Sequence, residues 1–389
     1  MLLFDDTQIA FSSKSDTDLR RAYYLFKTIA SPVMVKVSKL LINTARIIHI
    51  PVDWAVKPTI YKHFVGGESL IECAPLVRTL EKYNVKAILD YSVEGISTKA
   101  YIQHSVEEIL KTIELAAIDP NIPFAVFKPT ALCSEEILEK ASTDSMETTA
   151  EKEEARMFRY RIEILCRRAF EKNVRIMIDA EDSWYQLYID DVVNEMMEKY
   201  NKDTAIVYNT LQMYHLDRLE YLKILYERSV DKNYYLGIKF VRGAYMEKER
   251  IRADLKGYAS PIQPDKSSTD SSFDEGLRFA ISHIDRIHIF NGTHNEESVR
   301  LMALLMERND IAKDDERCFF SQLYGMSDNI SFTLAKRGYN VAKYVPYGPV
   351  ASVLPYLIRR AEENTAIAGQ SGRELNLILQ EKERRKMIK

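Results

Sequence analysis

Two adjacent arginines near the carboxyl end of the chain offer the clearest chemistry in the sequence. Arg359 and Arg360 lie in a helical pattern with Glu363, which shares a helix face with Arg359. Two neighbouring guanidiniums provide a planar set of donors that suits a carboxylate or a phosphate. Tyr344 ends the apolar run before this helix, so the segment predicts a pocket for a small anion. A solvated arginine pair on a surface helix is the alternative that these residues alone leave open.

Eight short apolar runs predict the strands that would position such a pocket. The runs are continuous rather than alternating, which is typical of parallel strands buried on both faces. Helical patterns follow them, so the sequence predicts an α/β fold, a TIM-like (βα)8 barrel. The predicted strands are Val85–Asp90, Phe124–Lys128, Val174–Asp179, Ala205–Asn209, Tyr235–Arg242, Ile287–Asn295, Cys318–Gln322 and Val341–Tyr344.

The carboxyl ends of the predicted strands are polar at nearly every position. In (βα)8 barrels the functional site lies at this end of the strands. Charged or amide side chains at so many strand ends are therefore better explained by a polar functional site than by chance. The residues concerned are Asp90, Lys128, Asp179, Asn209, Arg242, His294, Gln322 and Tyr344.

The regions outside the barrel have helical or loop patterns. We predict three parts: a helical arm over residues 1–84, the barrel over 85–370 and a basic helical tail over 371–389. Within the arm, helices are predicted at Asp16–Ile29, Val33–Ile48 and Glu68–Tyr83. Two segments inside the barrel region depart from the pattern, one a partly helical excursion and one a loop: Ser134–Glu154 and Lys256–Asp274.

Composition and missing motifs exclude several classes of function. The net charge of −3 does not indicate a nucleic-acid partner, and the four cysteines lie far apart, as in a reducing compartment. No apolar run is long enough to cross a bilayer and no secretory signal is recognisable, so we expect a protein that is soluble or lies on a membrane. Neither a Rossmann nor a P-loop glycine motif occurs, and no cluster predicts a metal site.

Nine motifs in chain order resemble the proline dehydrogenase (proline oxidase) family, in particular its mitochondrial-type branch and bacterial single-function relatives. Each motif alone is weak, but together they cover nearly the whole chain. They are LDYSVEG, FKPTAL, IDAED, YNTLQ, KFVRGAY, GTHN, SQLYGM, KYVPYG and YLIRRAEEN.

The resemblance implies a distorted (βα)8 barrel whose last helix lies over the barrel mouth. It also implies a non-covalent FAD, oxidation of L-proline to Δ1-pyrroline-5-carboxylate and transfer of the electrons to a membrane quinone. Such a protein is expected in the cytoplasm or on the cytoplasmic face of the inner membrane, or on the matrix side in a eukaryote. Basic patches near Lys36–Arg46 and Arg384–Lys389 add the hypothesis of peripheral membrane contact.

On the cofactor side, the resemblance assigns the residues after the fourth, fifth and sixth strands. Lys239 matches a cation close to flavin N5, where it would stabilise negative charge on the reduced ring. Lysine stands there in place of the arginine of many bacterial members, a variation typical of the mitochondrial branch. Gln212 is the best match to a flavin-contacting glutamine, although it lies three residues beyond the predicted strand end. Either that strand runs longer, or Asn209 shares the contact. The remaining matches are Arg242, Gly243, Ala244, Thr293, His294 and Asn295.

On the substrate side, the resemblance assigns Arg359, Arg360 and Lys128 to the proline carboxylate. Asp179 matches an acid that orients neighbouring groups in the site. The pocket is completed by Glu363, by Glu94 as a lid residue and by Tyr344, which packs on the pyrrolidine ring.

Two alternatives remain for the reaction. Hydroxyproline oxidation is the nearer one, although relatives that prefer hydroxyproline carry a small residue at the position of Tyr344. A Schiff-base aldolase that uses Lys128 or Lys239 is the more remote one.

Overall fold

The eight apolar runs form a closed barrel in which each strand pairs with its neighbours in chain order. The structure is a computed structural model and describes residues 2–31, 33–34, 53–92, 98–366 and 370–387. The strands are parallel wherever their register is defined, from the second to the seventh. The predicted (βα)8 fold is therefore confirmed. The strands are β1 (Lys86–Tyr91), β2 (Phe124–Phe127), β3 (Arg175–Ile178), β4 (Val207–Gln212), β5 (Leu236–Val241), β6 (Ile287–Gly292), β7 (Cys318–Leu323) and β8 (Val341–Tyr347).

Helices precede the barrel, follow its strands and end the chain. The structure also contains two short helical turns of other types, a π-helical turn at Lys57–Tyr61 and a 3-10 turn at Pro129–Ala131. The α-helices are α1 (Thr7–Ala10), α2 (Asp16–Ile29), α3 (Asp53–Val56), α4 (Lys62–Phe64), α5 (Leu70–Glu81), α6 (Lys99–Ile118), α7 (Glu135–Ser142), α8 (Thr149–Glu171), α9 (Ser183–Tyr200), α10 (Arg218–Asp231), α11 (Met246–Lys256), α12 (Lys266–Ser282), α13 (Glu296–Arg308), α14 (Asp328–Lys336), α15 (Val350–Ala366) and α16 (Gln370–Met387).

Several predicted boundaries are wrong. β8 continues to Tyr347, three residues beyond its predicted end, and β6 ends at Gly292, three residues before its predicted end. The loop predicted at Lys256–Asp274 ends earlier, because α12 begins at Lys266 with Asp265 as its N-cap. The side chain of Asp265 accepts a hydrogen bond from the N–H of Ser268 at 2.8 Å, which satisfies a backbone donor of the first turn. β4 continues to Gln212, three residues beyond its apolar run. Most of the helix predicted at Val33–Ile48 lies outside the described residues.

Aromatic side chains identify which side of the strands faces the barrel interior. The Phe124 ring lies 5.3, 5.2 and 5.0 Å from the rings of Tyr208, Phe290 and Phe319, which belong to different strands. These four side chains meet because they all point inward. Side chains alternate along a strand, so the residues two and four positions further on also point inward. Lys239 is on the inward side as well, because it is in register with Phe290.

By its contacts the chain forms two compact units. The first contains Met1–Glu94, Gln322–Arg337 and Lys343–Lys389, and the second contains Gly95–Ser321 and Gly338–Ala342. In the first unit, α15 buries Val353 and Leu357 in one apolar cluster with side chains of α2 and α16. None of the described helices is long and apolar enough to span a membrane.

Two buried histidines, His215 and His288, and the half-buried His63 predict that the protein loses stability in acid. Burial lowers the pKa of His63, His215 and His288 from 6.5 to about 4. Their stabilising contribution is therefore complete above about pH 6.5 and is lost as the pH falls through about 4. Between pH 8 and pH 5 each can cost up to about 2 kcal/mol of unfolding free energy.

Urea unfolding at these two pH values measures this loss. We expect His288→Gln to lose less stability than the wild type between them. His104→Gln, at an exposed histidine of α6, should lose as much as the wild type. An equal loss in all three proteins would contradict the prediction.

Candidate active site

A buried ion pair joins the carboxyl ends of β3 and β5. Lys239 is only 6% exposed, and its Nζ donates to Oδ1 of Asp179 at 2.6 Å. Asp179 follows β3, and its N–H donates to the carbonyl oxygen of Phe127, which continues the β2–β3 ladder. Because desolvation of either charge alone is costly, each residue needs the other in place. The structure thus brings together two residues that the sequence assigned to the same site.

Glu181 connects the ends of β2, β3 and β4. Its carboxylate accepts from the N–H and Oγ1 of Thr130 at 2.8 and 2.7 Å. Its carbonyl oxygen accepts from Nε2 of Gln212 at 2.6 Å. Gln212 is the last residue of β4 and has the inward parity of Tyr208, so the longer-strand alternative is the one that the structure confirms. Glu181 belongs to the IDAED motif, but the sequence pattern alone indicated no role for it.

Asn209 lies on the other side of the same strand. Its Nδ2 donates to Oδ1 of Asp190 on α9 at 3.0 Å, and its Oδ1 accepts from the N–H of Thr210. Oδ2 of Asp190 also accepts a hydrogen bond from Nη1 of Arg218 at 2.6 Å. Strand alternation explains the placement, because Asn209 is three residues from the inward-facing Gln212. Its side chain is thus engaged by Asp190 and Thr210, and the flavin contact that the sequence assigned to Asn209 stays a prediction.

The Arg242 guanidinium ties the end of β5 to α12 and to the end of β6. It donates to Oδ1 of Asp270 at 2.6 Å, to Oγ1 of Thr293 at 2.6 Å and to Oγ of Ser298 at 2.9 Å. The guanidinium also lies 4.4 Å from the centroid of the Phe273 ring. Because these protein partners engage all three nitrogens, Arg242 fixes the shape of the loops that surround it. Sequence reasoning missed Asp270 because that stretch was predicted to be a loop.

The turn after β6 has a regular local structure. The N–H of Thr293 donates to the carbonyl oxygen of Ser321, and Asn295 is the N-cap of α13. The Asn295 side chain accepts from the N–H groups of Glu297 and Ser298 at 2.9 and 3.2 Å. His294 lies between these two fixed positions and is half-buried. The three predicted residues of this turn are therefore held at the carboxyl end of β6.

Gly243 occupies a position that accepts no side chain. Its φ of +127° is strained for other residues, and a Cβ would lie 2.4 Å from two carbons of the Tyr214 ring. The N–H of Tyr214 donates to the carbonyl oxygen of Arg242 at 2.8 Å, so Tyr214 supports this turn directly. Ala244 follows and is exposed. The Tyr214 ring fills the space that a side chain would need, so packing on this ring requires glycine here.

Two of the predicted carboxylate-binding residues, Arg359 and Arg360, belong to the first compact unit. Arg360 is 7% exposed, and its guanidinium lies 5.2 Å from the Tyr356 ring of the same helix, α15. Arg359 is half-buried, so the alternative of a solvated arginine pair is wrong. Tyr344 lies on β8 and is 7% exposed.

The other predicted substrate residues are distributed differently. Lys128 directly follows β2 in the second unit, four residues after the inward-facing Phe124, and is half-buried. Glu94 and the side chain of Glu363 lie outside the described part of the chain.

The fold and the strand-end cluster define a (βα)8-barrel enzyme. The sequence model of the family described as "Proline dehydrogenase" matches residues 73–373, and the chain belongs to this family. A mitochondrial proline dehydrogenase 1 from Arabidopsis thaliana is 32% identical over 96% of this chain and 85% of its own length.

Two further relatives have other names. The carbapenem antibiotics biosynthesis protein CarD of Pectobacterium carotovorum is 34% identical over 84% of each chain. A hydroxyproline dehydrogenase from Xenopus laevis is 30% identical over 99% of this chain and 90% of its own length.

A solved structure supports the fold. The proline utilization A protein of Bdellovibrio bacteriovorus, inactivated by N-propargylglycine, superposes with a TM-score of 0.73 at 23% identity. The match covers 92% of this chain but only 38% of that protein, so this chain spans little more than a third of its length.

We predict that Gly243→Ala destabilises the protein more than a change at another glycine of positive φ. The new methyl group would have to displace the Tyr214 ring, so we expect a loss of about 3 kcal/mol of unfolding free energy. Gly257→Ala is the matched control, because its φ is +72° but nothing lies within 4 Å of the added carbon. It should lose only about 1 kcal/mol. Urea unfolding measures both, and equal losses would contradict a steric role for Tyr214.

Proposed function

We propose that this chain oxidises L-proline to Δ1-pyrroline-5-carboxylate with a non-covalently bound FAD and passes the electrons to a quinone. The observation that carries the proposal is the buried ion pair of Lys239 and Asp179 at the strand ends of a proline dehydrogenase family member. FAD, when bound, supplies the hydride acceptor that the amino acid side chains lack.

The donors at the ends of β4 to β6 fit a flavin. Gln212 contributes an amide and Lys239 an ammonium group, and we assign the backbone of the Gly243 turn to the pyrophosphate. In this proposal the Lys239 ammonium stabilises negative charge at one edge of the ring system, and Asp179 holds the ammonium in place. Thr293, His294 and Asn295 line the same strand ends. The family resemblance supplies these roles.

For the substrate, we propose that Arg359, Arg360 and Lys128 bind the proline carboxylate. Two guanidiniums bind a carboxylate through directional hydrogen bonds as well as through charge. The pyrrolidine ring is thereby held in a fixed position relative to the hydride acceptor. The burial of Arg360 against Tyr356 restricts its rotamers and so favours one geometry. Glu363 and Glu94 keep their proposed roles as pocket and lid residues. A pocket with few waters also favours the neutral amine, which must form before hydride leaves C5.

Hydroxyproline oxidation is the second candidate. One relative bears that name, whereas the bulky Tyr344 favours proline because its ring excludes a hydroxyl group from the pyrrolidine site. A Schiff-base aldolase is less consistent with the site. Such a lysine must react as the free amine, whereas Lys239 is ion-paired with Asp179.

The electron acceptor and location also remain proposals. Arg384 and Arg385 are paired with Glu381 and Asp16, which weakens the hypothesis that the tail binds a membrane. The patch near Lys36–Arg46 lies outside the described residues. The mitochondrial relatives make a matrix location reasonable for a eukaryotic chain. Co-sedimentation with anionic vesicles at low salt tests the membrane hypothesis, and no binding there would contradict it.

An absorption spectrum tests the proposed function directly. The purified protein should show flavin bands, and L-proline added under argon should bleach them. Hydroxyproline should bleach them more slowly at equal concentration. A colourless protein that forms a borohydride-trapped adduct with its substrate would instead indicate an aldolase.

We predict that Arg360→Lys weakens proline binding although it preserves the charge. Lysine lacks the planar fork, so KM for proline should rise about 10- to 100-fold with a smaller change in kcat. Steady-state kinetics with a quinone analogue measures both constants. Arg337→Lys, an exposed arginine after α14, is the control and should match the wild type. An unchanged KM in Arg360→Lys would contradict the proposed carboxylate site.

A further inference from the structure

The turn between β7 and α14, residues 324–327, has an energetically unfavourable backbone conformation. The proposed reaction does not explain it. Gly325 has a φ of +84° and Ser327 a φ of +50°. A Cβ on Gly325 would lie 2.4 Å from the carbonyl oxygen of His63. Such conformations persist only where the surroundings enforce them. We call this segment the β7–α14 turn; it contains the YGM part of the SQLYGM motif.

Two consecutive residues of β8 bind this turn. Lys343 is fully buried, and its Nζ donates to the carbonyl oxygen of Met326 at 2.6 Å and pairs with Oδ1 of Asp328 at 2.8 Å. The N–H of Tyr324 donates to the carbonyl oxygen of Tyr344 at 2.8 Å. The backbone that carries the Tyr344 ring is therefore fixed by the β7–α14 turn and by the first residue of α14.

The helices at both ends of the chain bind the same turn. Lys14, between α1 and α2, places its Nζ 3.3 Å from Oδ2 of Asp328 and 5.5 Å from the centroid of the Tyr324 ring. Nε2 of His63 donates to the carbonyl oxygen of Gly325 at 2.8 Å. From α16, Glu374 accepts the N–H of Ser327 at 2.5 Å. The β7–α14 turn is thus bound by α4 and α16 as well as by β8 and Lys14.

Asp328 is the electrostatic centre of this arrangement. Its burial alone would raise its pKa, but Lys14 and Lys343 outweigh this effect and lower the pKa to about 2. The carboxylate is therefore charged across the working pH range. Removal of either cation leaves a buried charge that is only partly compensated, so the turn must rearrange to rehydrate it.

We propose that Lys14, Asp328 and Lys343 are positioning residues that fix Tyr344 through the β7–α14 turn and thereby set the preference for proline over hydroxyproline. This inference rests on the proposed function, in which the Tyr344 ring packs against the substrate ring. The three residues act through the backbone of β8 and its neighbouring turn. The N-terminal helical arm is then part of the device that selects the substrate, because Lys14 belongs to it.

The test replaces a cation on the arm that lies far from Tyr344 in sequence. Lys14→Met removes the charge, Lys14→Arg keeps it, and Lys27→Met makes the same change at an exposed lysine of the same arm. Each protein is assayed for kcat and KM with proline and with hydroxyproline. Hydrogen exchange is followed in the peptide that contains the Tyr324 N–H, and Tyr344→Ser serves as the reference for a pocket without the ring.

We expect Lys14→Met to raise KM for proline and to lower the proline-to-hydroxyproline ratio of kcat/KM by about tenfold. The kcat with proline should stay within about twofold of the wild type, and exchange of the Tyr324 peptide should become faster. Lys14→Arg should restore the ratio towards the wild-type value. Lys27→Met should match the wild type in every measurement.

The outcomes separate the two proposals. If the wild type does not reduce its flavin with proline, the proposed function fails and this inference fails with it. If the wild type is active but the preference ratio of Lys14→Met equals that of Lys27→Met, only the inference is overturned. A uniform loss of kcat and flavin with an unchanged ratio would indicate a purely structural role and would also overturn it. Lys14→Gln, which removes the charge but keeps a shorter hydrogen-bond donor, replaces Lys14→Met if that variant does not fold.

Discussion

The buried ion pair between Lys239 and Asp179 constrains the strand register of the second compact unit. An ammonium group inside a barrel is stable only beside a carboxylate, and that carboxylate comes from a strand two positions away. The pair therefore requires the register in which Ile178 lies opposite Asn209 and Thr210 opposite Lys239. A slip of one residue would turn Lys239 towards the helices and leave its charge uncompensated. Correct strand pairing and the chemistry at the strand ends thus depend on the same contact.

Around this pair, most charged groups bind neighbouring loops. Glu181 joins the segments after β2, β3 and β4, and Arg242 joins those after β5 and β6. Because each loop is fixed by a partner from another strand, the strand ends have a defined shape before any ligand arrives. Preformed geometry of this kind reduces the reorganisation that accompanies binding and reaction. The same contacts explain why polar residues occur at so many strand ends.

The sequence predicted the barrel well because continuous apolar runs reflect burial on both faces of each strand. It failed where polar residues extend a strand, as in β4, whose last residues include Asn209 and Gln212. It also missed the start of α12, where serines weaken the helical pattern while Asp265 caps the first turn. The partners of Arg242 and Lys239 lie between 28 and 60 residues away in sequence. Such pairings depend on the fold, and no local pattern encodes them.

The first compact unit draws its residues from both ends of the chain and from the segment after β7. Its apolar cluster contains Phe26 of α2 together with Leu377 and Ile378 of α16. A ribosome releases Phe26 long before Leu377, because all eight barrel strands lie between them in the sequence. The apolar side chains of α2 must therefore wait for α16 to be synthesised before this cluster is complete. The order of the sequence thus delays the burial of this apolar surface until after the barrel strands have been synthesised.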